Sequence, residues 1–252
     1  MKGGLAMAIY KLKNSTRCWD GESIGILILD AHYPCVPGNV GNATTFDFPV
    51  RYKKVKGASI YRLLNQRDPS LVKPFIEAAL ELEAEGVRAI TGACGFMALF
   101  QEEVAEALKI PVFLSSLLQV PFIRRILNPS LKIGIITANS TCLTDKHFHA
   151  AGITCDMNIV IKGMEEKDEF RTAILEEKGT LDSDKIEKEV VEVAETMIKE
   201  HPEVGAILLE CSDLPPYAKA VQESTGRPVF DFITMIRFVH TAVVQQGYHG
   251  FI

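Results

Sequence analysis

Short, almost unbroken apolar runs alternate along the chain with longer stretches whose apolar residues recur every three to four positions. In 23–30 the residues Ile24, Ile26, Leu27, Ile28 and Leu29 leave little room for polar interruption, which predicts a parallel strand covered on both faces. Residues 72–85 follow with helical spacing, Ile76, Leu80 and Leu82 on one side. A strand at 86–93, a helix at 97–108 and a strand at 111–115 come next. A helix at 118–127 is expected to cross toward the second half. The pattern then restarts: a strand at 132–139, a short helix at 144–151 and a strand at 154–161. The clearest helix is 184–200, where Ile186, Val190, Val193 and Met197 form one stripe behind Asp182 or Ser183 as cap. Strands at 205–211 and 228–231, a helix at 215–224 and a C-terminal helix at 233–246, ended by Gly247, complete the series.

Strand–helix alternation of this kind predicts an α/β fold with mostly parallel sheets. The restart predicts two Rossmann-like half-domains related by a pseudo-two-fold axis, with the active site in the cleft between them. The halves are read as 1–117 and 118–231, with 232–252 returning toward the first. The run Ser23-Ile-Gly-Ile-Leu-Ile-Leu-Asp30 is echoed by Lys132-Ile-Gly-Ile-Ile-Thr-Ala-Asn139. One stretch breaks the rhythm. Residues 31–57 carry three prolines and the turn Pro37-Gly-Asn-Val-Gly-Asn42, then a segment 46–55 read as a short extended arm. A long irregular segment at the carboxyl end of a strand suits a loop over a binding crevice, with Asn39 in a ligand-contacting turn. A packing or dimer-contact loop is the plainer alternative.

Both halves place a cysteine at the end of a buried-type run. Cys94 closes Gly86-Val-Arg-Ala-Ile-Thr-Gly-Ala-Cys94, and Cys211 closes Val204-Gly-Ala-Ile-Leu-Leu-Glu-Cys211. Seventeen positions later each half has a matching strand, Pro111-Val-Phe and Pro228-Val-Phe (94 to 111, 211 to 228). Two thiols contributed by related halves are suited to opposite faces of one small molecule, where one removes a proton and the other returns it. A lone cysteine in an apolar strand is as readily a small buried hydrophobe; the matched pair argues for chemistry. An ordinary thiol titrates near ~8.5, so a base at neutral pH needs a lowered pKa. The strand-to-helix junction, with free N–H groups and a helix dipole, is expected to supply that lowering.

Composition sets outer limits. Over 252 residues, 47% are hydrophobic and 23% charged, and net charge is −5, so no basic footprint for nucleic acid exists. Arg51, Lys53, Lys54 and Lys56 form the densest positive patch, either a solvated loop or a contact to an anionic ligand. The apolar stretch 5–10 is too short for a signal-peptide core, and no run reaches the ~18–20 residues of a membrane span. These features predict a cytoplasmic protein with neither membrane nor nucleic acid as partner. Six cysteines in a chain this long make no disulfide framework. His147 and His149 near Cys142 lack a second ligand pair, so no metal is expected. Cys18, Cys142 and Cys155 are read as structural, and the role of Cys35 stays open. Glu210 is read as a buried partner or interface residue rather than a catalytic one.

Around the cysteines the chain resembles the aspartate/glutamate racemase superfamily. Ala93-Cys-Gly-Phe96 resembles the first-cysteine motif, Cys211-Ser-Asp-Leu-Pro215 the second, and Thr137-Ala-Asn-Ser-Thr141 the turn that binds substrate carboxylate in that family. The resemblance implies cofactor-independent racemisation or epimerisation of a small carboxylate, an amino acid or derivative. Cys94 and Cys211 would be the two bases, with Gly95, Phe96, Thr137, Ser140, Thr141, Ser212 and Asp213 shaping the site. It also implies a homodimer or larger homo-oligomer. Two departures point away from glutamate: Gly95-Phe96 replace the usual Asn-Thr, and Asp213 stands where glutamate racemases have histidine. Asp213 either caps the following helix or takes a proton from Cys211. The same departures leave room for a decarboxylase or cis–trans isomerase of a small dicarboxylic acid, and a non-catalytic acid-binding protein is a further alternative.

Overall fold

The computed structural model describes residues 19–248, 250 and 251. Cys18 and the apolar stretch 5–10 lie outside them.

Two four-stranded parallel sheets repeat one topology. The first has the order β2-β1-β3-β4, with β1 at Ile24–Ile28, β2 at Val50–Lys54, β3 at Ala89–Gly92 and β4 at Val112–Phe113. The second has the order β6-β5-β7-β8, with β5 at Lys132–Thr137, β6 at Ile159–Gly163, β7 at Val204–Leu209 and β8 at Val229–Phe230. Helices α1 (Val72–Ala84), α2 (Gln101–Ala107) and α3 (Val120–Ile126) belong to the first run of elements. Helices α4 (Asp145–Ala150), α5 (Asp168–Phe170), α6 (Ser183–Glu200) and α7 (Ala218–Thr225) belong to the second, and α8 (Phe232–Val243) closes the chain. Strands β1, β5 and β7 are almost wholly buried, as continuous apolar runs in helix-covered parallel sheets must be.

One hydrophobic core joins both sheets, running from Leu27, Phe75 and Phe96 through Ile135 and Phe170 to Leu208 and Val221. Phe232, Met235 and Ile236 of α8 pack with Ile24, Ile26, Ala89 and Phe113, so the C-terminal helix covers the first sheet.

Several elements differ from the pattern reading. The extended arm is β2, an edge strand paired in parallel with β1 over Ile24 to Ile28. Its cations are matched by acids: Arg51 by Glu85, Lys53 by Glu81 and Lys54 by Asp30. On α1 the buried stripe is Phe75, Ala78, Ala79 and Leu82, while Leu80 is exposed. The helix expected from residue 97 begins as a 3-10 turn, Gly95–Phe100, before α2. The sixth strand lies at Ile159–Gly163, several residues later than its apolar composition suggested, and α8 ends at Val243, short of Gly247. Asp182 caps α6 by accepting a hydrogen bond from Lys185 N.

Candidate active site

Cys94 lies two residues past the end of β3 and Cys211 two past the end of β7, and the carboxyl ends of both strands open onto a small cavity of about 110 Å³. Its lining includes Cys94, Cys211, Ser212, Asp213, Asn39 and Tyr33. No Lys, Arg or His belongs to that lining among the described residues.

Three side chains from two parts of the chain converge on Asp213. Cys211 Sγ donates to Asp213 Oδ2 at 3.3 Å, Tyr33 Oη donates to the same oxygen at 3.2 Å, and Asn39 Nδ2 donates to Oδ1. The helix-capping alternative for Asp213 does not hold: the next turn, Pro215–Tyr217, has Leu214 at its cap position and no side-chain cap. Burial pushes the Asp213 carboxyl up from its ordinary value, and the donors from Asn39, Cys211 and Tyr33 only partly offset this. Burial and then the Asp213 charge push Cys211 well up, and burial followed by the Glu210 charge pushes Cys94 up. The lowering expected from the strand-to-helix junction is present but smaller: the N–H of Phe96 faces the Cys94 sulfur, and that of Asp213 the Cys211 sulfur. In each half the donor sits two residues past the thiol.

The irregular segment after β1 reaches the second half and is pinned there. Val40 N donates to Ser212 O at 3.3 Å, and His32 N donates to Glu177. Gly38 has φ +99°, and a Cβ there would lie 2.8 Å from Pro216 Cα, so this contact needs glycine. Ser212 Oγ donates to Ala93 O at 2.8 Å, tying the second thiol turn to the first.

Of the residues singled out from the sequence, Cys94, Cys211, Asn39, Ser212 and Asp213 meet at the cavity. The others do not line it. Phe96 is buried in the core against His147, edge-on with ring centroids 5.3 Å apart. Gly95 is buried against Glu210. Thr137 donates to Glu210, Ser140 to Glu165 and Thr141 to Asn139, so the turn expected to grip a carboxylate is occupied by its own partners. Ala138 is its contribution to the cavity.

Sequence reasoning missed Tyr33 and the apolar walls. Cys35, whose role it left open, also lines the cavity; burial and then Asp213 push its thiol up to about 11. Ile60 precedes and Leu64 lies in a π-helical turn at Tyr61–Asn65, and Ile174 and Leu175 lie in its counterpart at Arg171–Leu175. Among the described residues no group of three or more His, Cys, Asp or Glu is arranged to hold a metal ion.

A family model for Asp/Glu/Hydantoin racemase matches residues 64–236. Among curated proteins, a dimethylsulfoniopropionate lyase of Durusdinium sp. clade D is 35% identical over 90% of this chain and 77% of its own. Dimethylsulfoniopropionate lyase 3 of Emiliania huxleyi is 34% identical over 92% of this chain, which spans 62% of that relative's length. Among solved structures, a variant of arylmalonate decarboxylase superposes with a TM-score of 0.58 at 15% identity, over 90% of this chain and 94% of its own. Allantoin racemase from Pseudomonas fluorescens gives 0.59 at 16% identity, over 88% and 91%. These two likenesses concern the fold.

Proposed function

The chain belongs to the Asp/Glu/Hydantoin racemase family, and on that footing we propose that its cavity removes a proton beside a substrate carboxylate and expels a sulfonium group from the next carbon. Dimethylsulfoniopropionate, the compound in the names of its curated relatives, has that arrangement. The observation that carries the reading is Asp213: a buried carboxyl that accepts from Cys211, Tyr33 and Asn39, in a cavity that Cys94 also lines and without a cationic side chain among the described lining. A buried carboxylate without a cation is costly. A cationic substrate offsets that cost, and positive charge within a few ångströms of the sulfurs also favours their thiolate form. Burial keeps both thiols protonated before substrate binds, and the substrate activates its own base.

In this scheme Cys211 is the base. Its thiolate takes the proton from the carbon next to the carboxylate, and the C–H electron pair becomes the new C=C bond. The C–S bond breaks with its pair staying on sulfur, so the sulfonium leaves as neutral dimethyl sulfide and the remainder is acrylate. Cys94, on the opposing side, stays a thiol and donates toward the carboxylate as its charge grows. The Cys211 proton passes to water as the substrate binds, so taking the proton from carbon returns Cys211 to its resting thiol.

A second reading rests on the matched N–H groups of Phe96 and Asp213, which give the two sulfurs similar settings. It is two-base racemisation or epimerisation of a small carboxylate. Product analysis separates the two. With dimethylsulfoniopropionate and the full chain, the elimination reading expects dimethyl sulfide and acrylate in equal amounts. Cys211→Ser lowers kcat by about 10²–10⁴-fold, the usual contribution of a positioned base, and Asp213→Asn raises KM. A folded protein that releases no dimethyl sulfide, yet exchanges the α-hydrogen of an amino acid with deuterated solvent, would replace elimination with racemisation.

A further inference from the structure

Glu210 is the residue just before the second thiol, and its side chain is fully buried. Its Oε2 accepts a hydrogen bond from Thr137 Oγ1 at 2.8 Å, whereas Oε1 has no partner among the described residues. A Cβ built on Gly95 would fall 1.9 Å from Oε1 and 2.2 Å from the carboxyl carbon. The carboxyl therefore lies in the place a side chain at residue 95 would occupy, against the backbone of the first thiol's turn. Its main chain is fixed as well: Glu210 N donates to Ile136 O, and Glu210 O accepts from Ser116 Oγ at 3.0 Å.

We infer that Glu210 is a positioning residue for Cys94, inserted from the second half beneath the first thiol's turn so that its state of charge sets how readily both thiols ionise. Burial pushes its pKa up to about 8, against the lowering by Thr137, so it is an uncharged acid at neutral pH. Cys94 and Cys211 are the ionisable groups that feel it: its charge is the largest electrostatic contribution at Cys94 and follows that of Asp213 at Cys211. From the other elements packed around it, β5 presents Thr137 and the turn before α3 presents Ser116, neither of which titrates. Among the described residues no Lys, Arg or His contributes to the shift of any of the three groups. Above pH 8 the carboxylate forms with no cation among the described residues to meet it, and thiolate formation becomes harder as pH rises.

The inference rests on Cys94 and Cys211 as the site, but its test reads ionisation rather than turnover, so it stands or falls apart from the elimination reading. Iodoacetamide labelling of the full chain, resolved by peptide mass spectrometry from pH 6.5 to 10, follows Cys94, with exposed Cys155 as internal reference. In the native protein the Cys94 rate climbs by clearly less than tenfold per pH unit above about 8. Glu210→Gln, which keeps a partner for Thr137, restores the full slope, so that at pH 9 Cys94 labels severalfold faster than in the native protein while matching it within twofold at pH 6.5. Thr137→Val, which removes the group that lowers the Glu210 pKa, moves the native inflection to higher pH and decides the matter should Glu210→Gln not fold. Superimposable Cys94 profiles in the native and variant proteins, or an equal change at Cys155, would overturn the inference.

Discussion

His147 shows at the scale of one side chain how burial sets protonation. It is fully buried on α4, its Nδ1 accepts from Thr144 N at 3.1 Å, and its Nε2 has no partner among the described residues. Burial lowers its pKa from 6.5 to about 4, so it stays neutral where an unfolded chain would already be charged. The stability this gives is complete above pH 6.5 and is lost as pH falls through about 4. At ~1.4 kcal/mol per unit, the native protein should lose about 2 kcal/mol more between pH 7 and pH 4.5 than His147→Gln does. Urea unfolding at both pH values checks this, and equal losses would sink the assignment. The same balance explains what the thiols concealed. Their positions were legible from two matched motifs, but the direction of their pKa shifts was not. A junction N–H can be inferred from local sequence, whereas the desolvation that outweighs it comes from residues such as Tyr33 and Leu64, distant in sequence. Asp213 was legible as a partner of Cys211 for the simple reason that two residues separate them.

Among elements, the repeat extends beyond what the pattern of apolar residues displays. Each half contains a π-helical turn, Tyr61–Asn65 and Arg171–Leu175, followed by a residue with positive φ, Arg67 at 48° and Glu177 at 52°. Each of those residues reaches into the other half: Arg67 Nε donates to Cys142 O at 3.3 Å, and Glu177 accepts from His32 N. Five-residue turns are too short to show a helical period, and i→i+5 pairing leaves no compositional mark, which is why they went unread while α6 was placed almost to the residue. The Ile-Gly-Ile echo of β1 and β5 was visible, and the structure supplies its reason. Leu82 of α1 packs where a Cβ at Gly25 would come within 2.9 Å, and Met197 of α6 where one at Gly134 would come within 2.3 Å. Replacing Gly134 with valine forces Met197 and Val204 aside, so a loss of about 1–3 kcal/mol is expected from overpacking. Chemical denaturation measures it; a loss below ~0.5 kcal/mol would mean that the strand and helix separate freely there.

For the molecule as a whole, two copies of one sheet topology are joined by one large core, a smaller one lies under α8, and the site forms where their strand ends meet. The alternation of runs made the α/β class and the duplication readable, because a parallel sheet covered by helices requires continuous apolar strands. The contents of the cavity were harder to foresee. Asn39 and Tyr33 come from a segment without period, held in place by contacts such as Gly38 against Pro216 that appear only when the halves meet. Conversely, Thr137 and Ser140 carried a family-like motif, yet Glu210 and Glu165 claim their hydroxyls. The central claim is that sulfurs from the two halves face one space sized for a single small acid. It is tested most directly with 1,3-dibromoacetone, a three-carbon thiol bridge, applied to a Cys35→Ser background so that the third cavity thiol cannot compete. Peptide mapping should find Cys94 and Cys211 joined within one chain by one bridge. Modification of both thiols without any bridged pair would contradict the account.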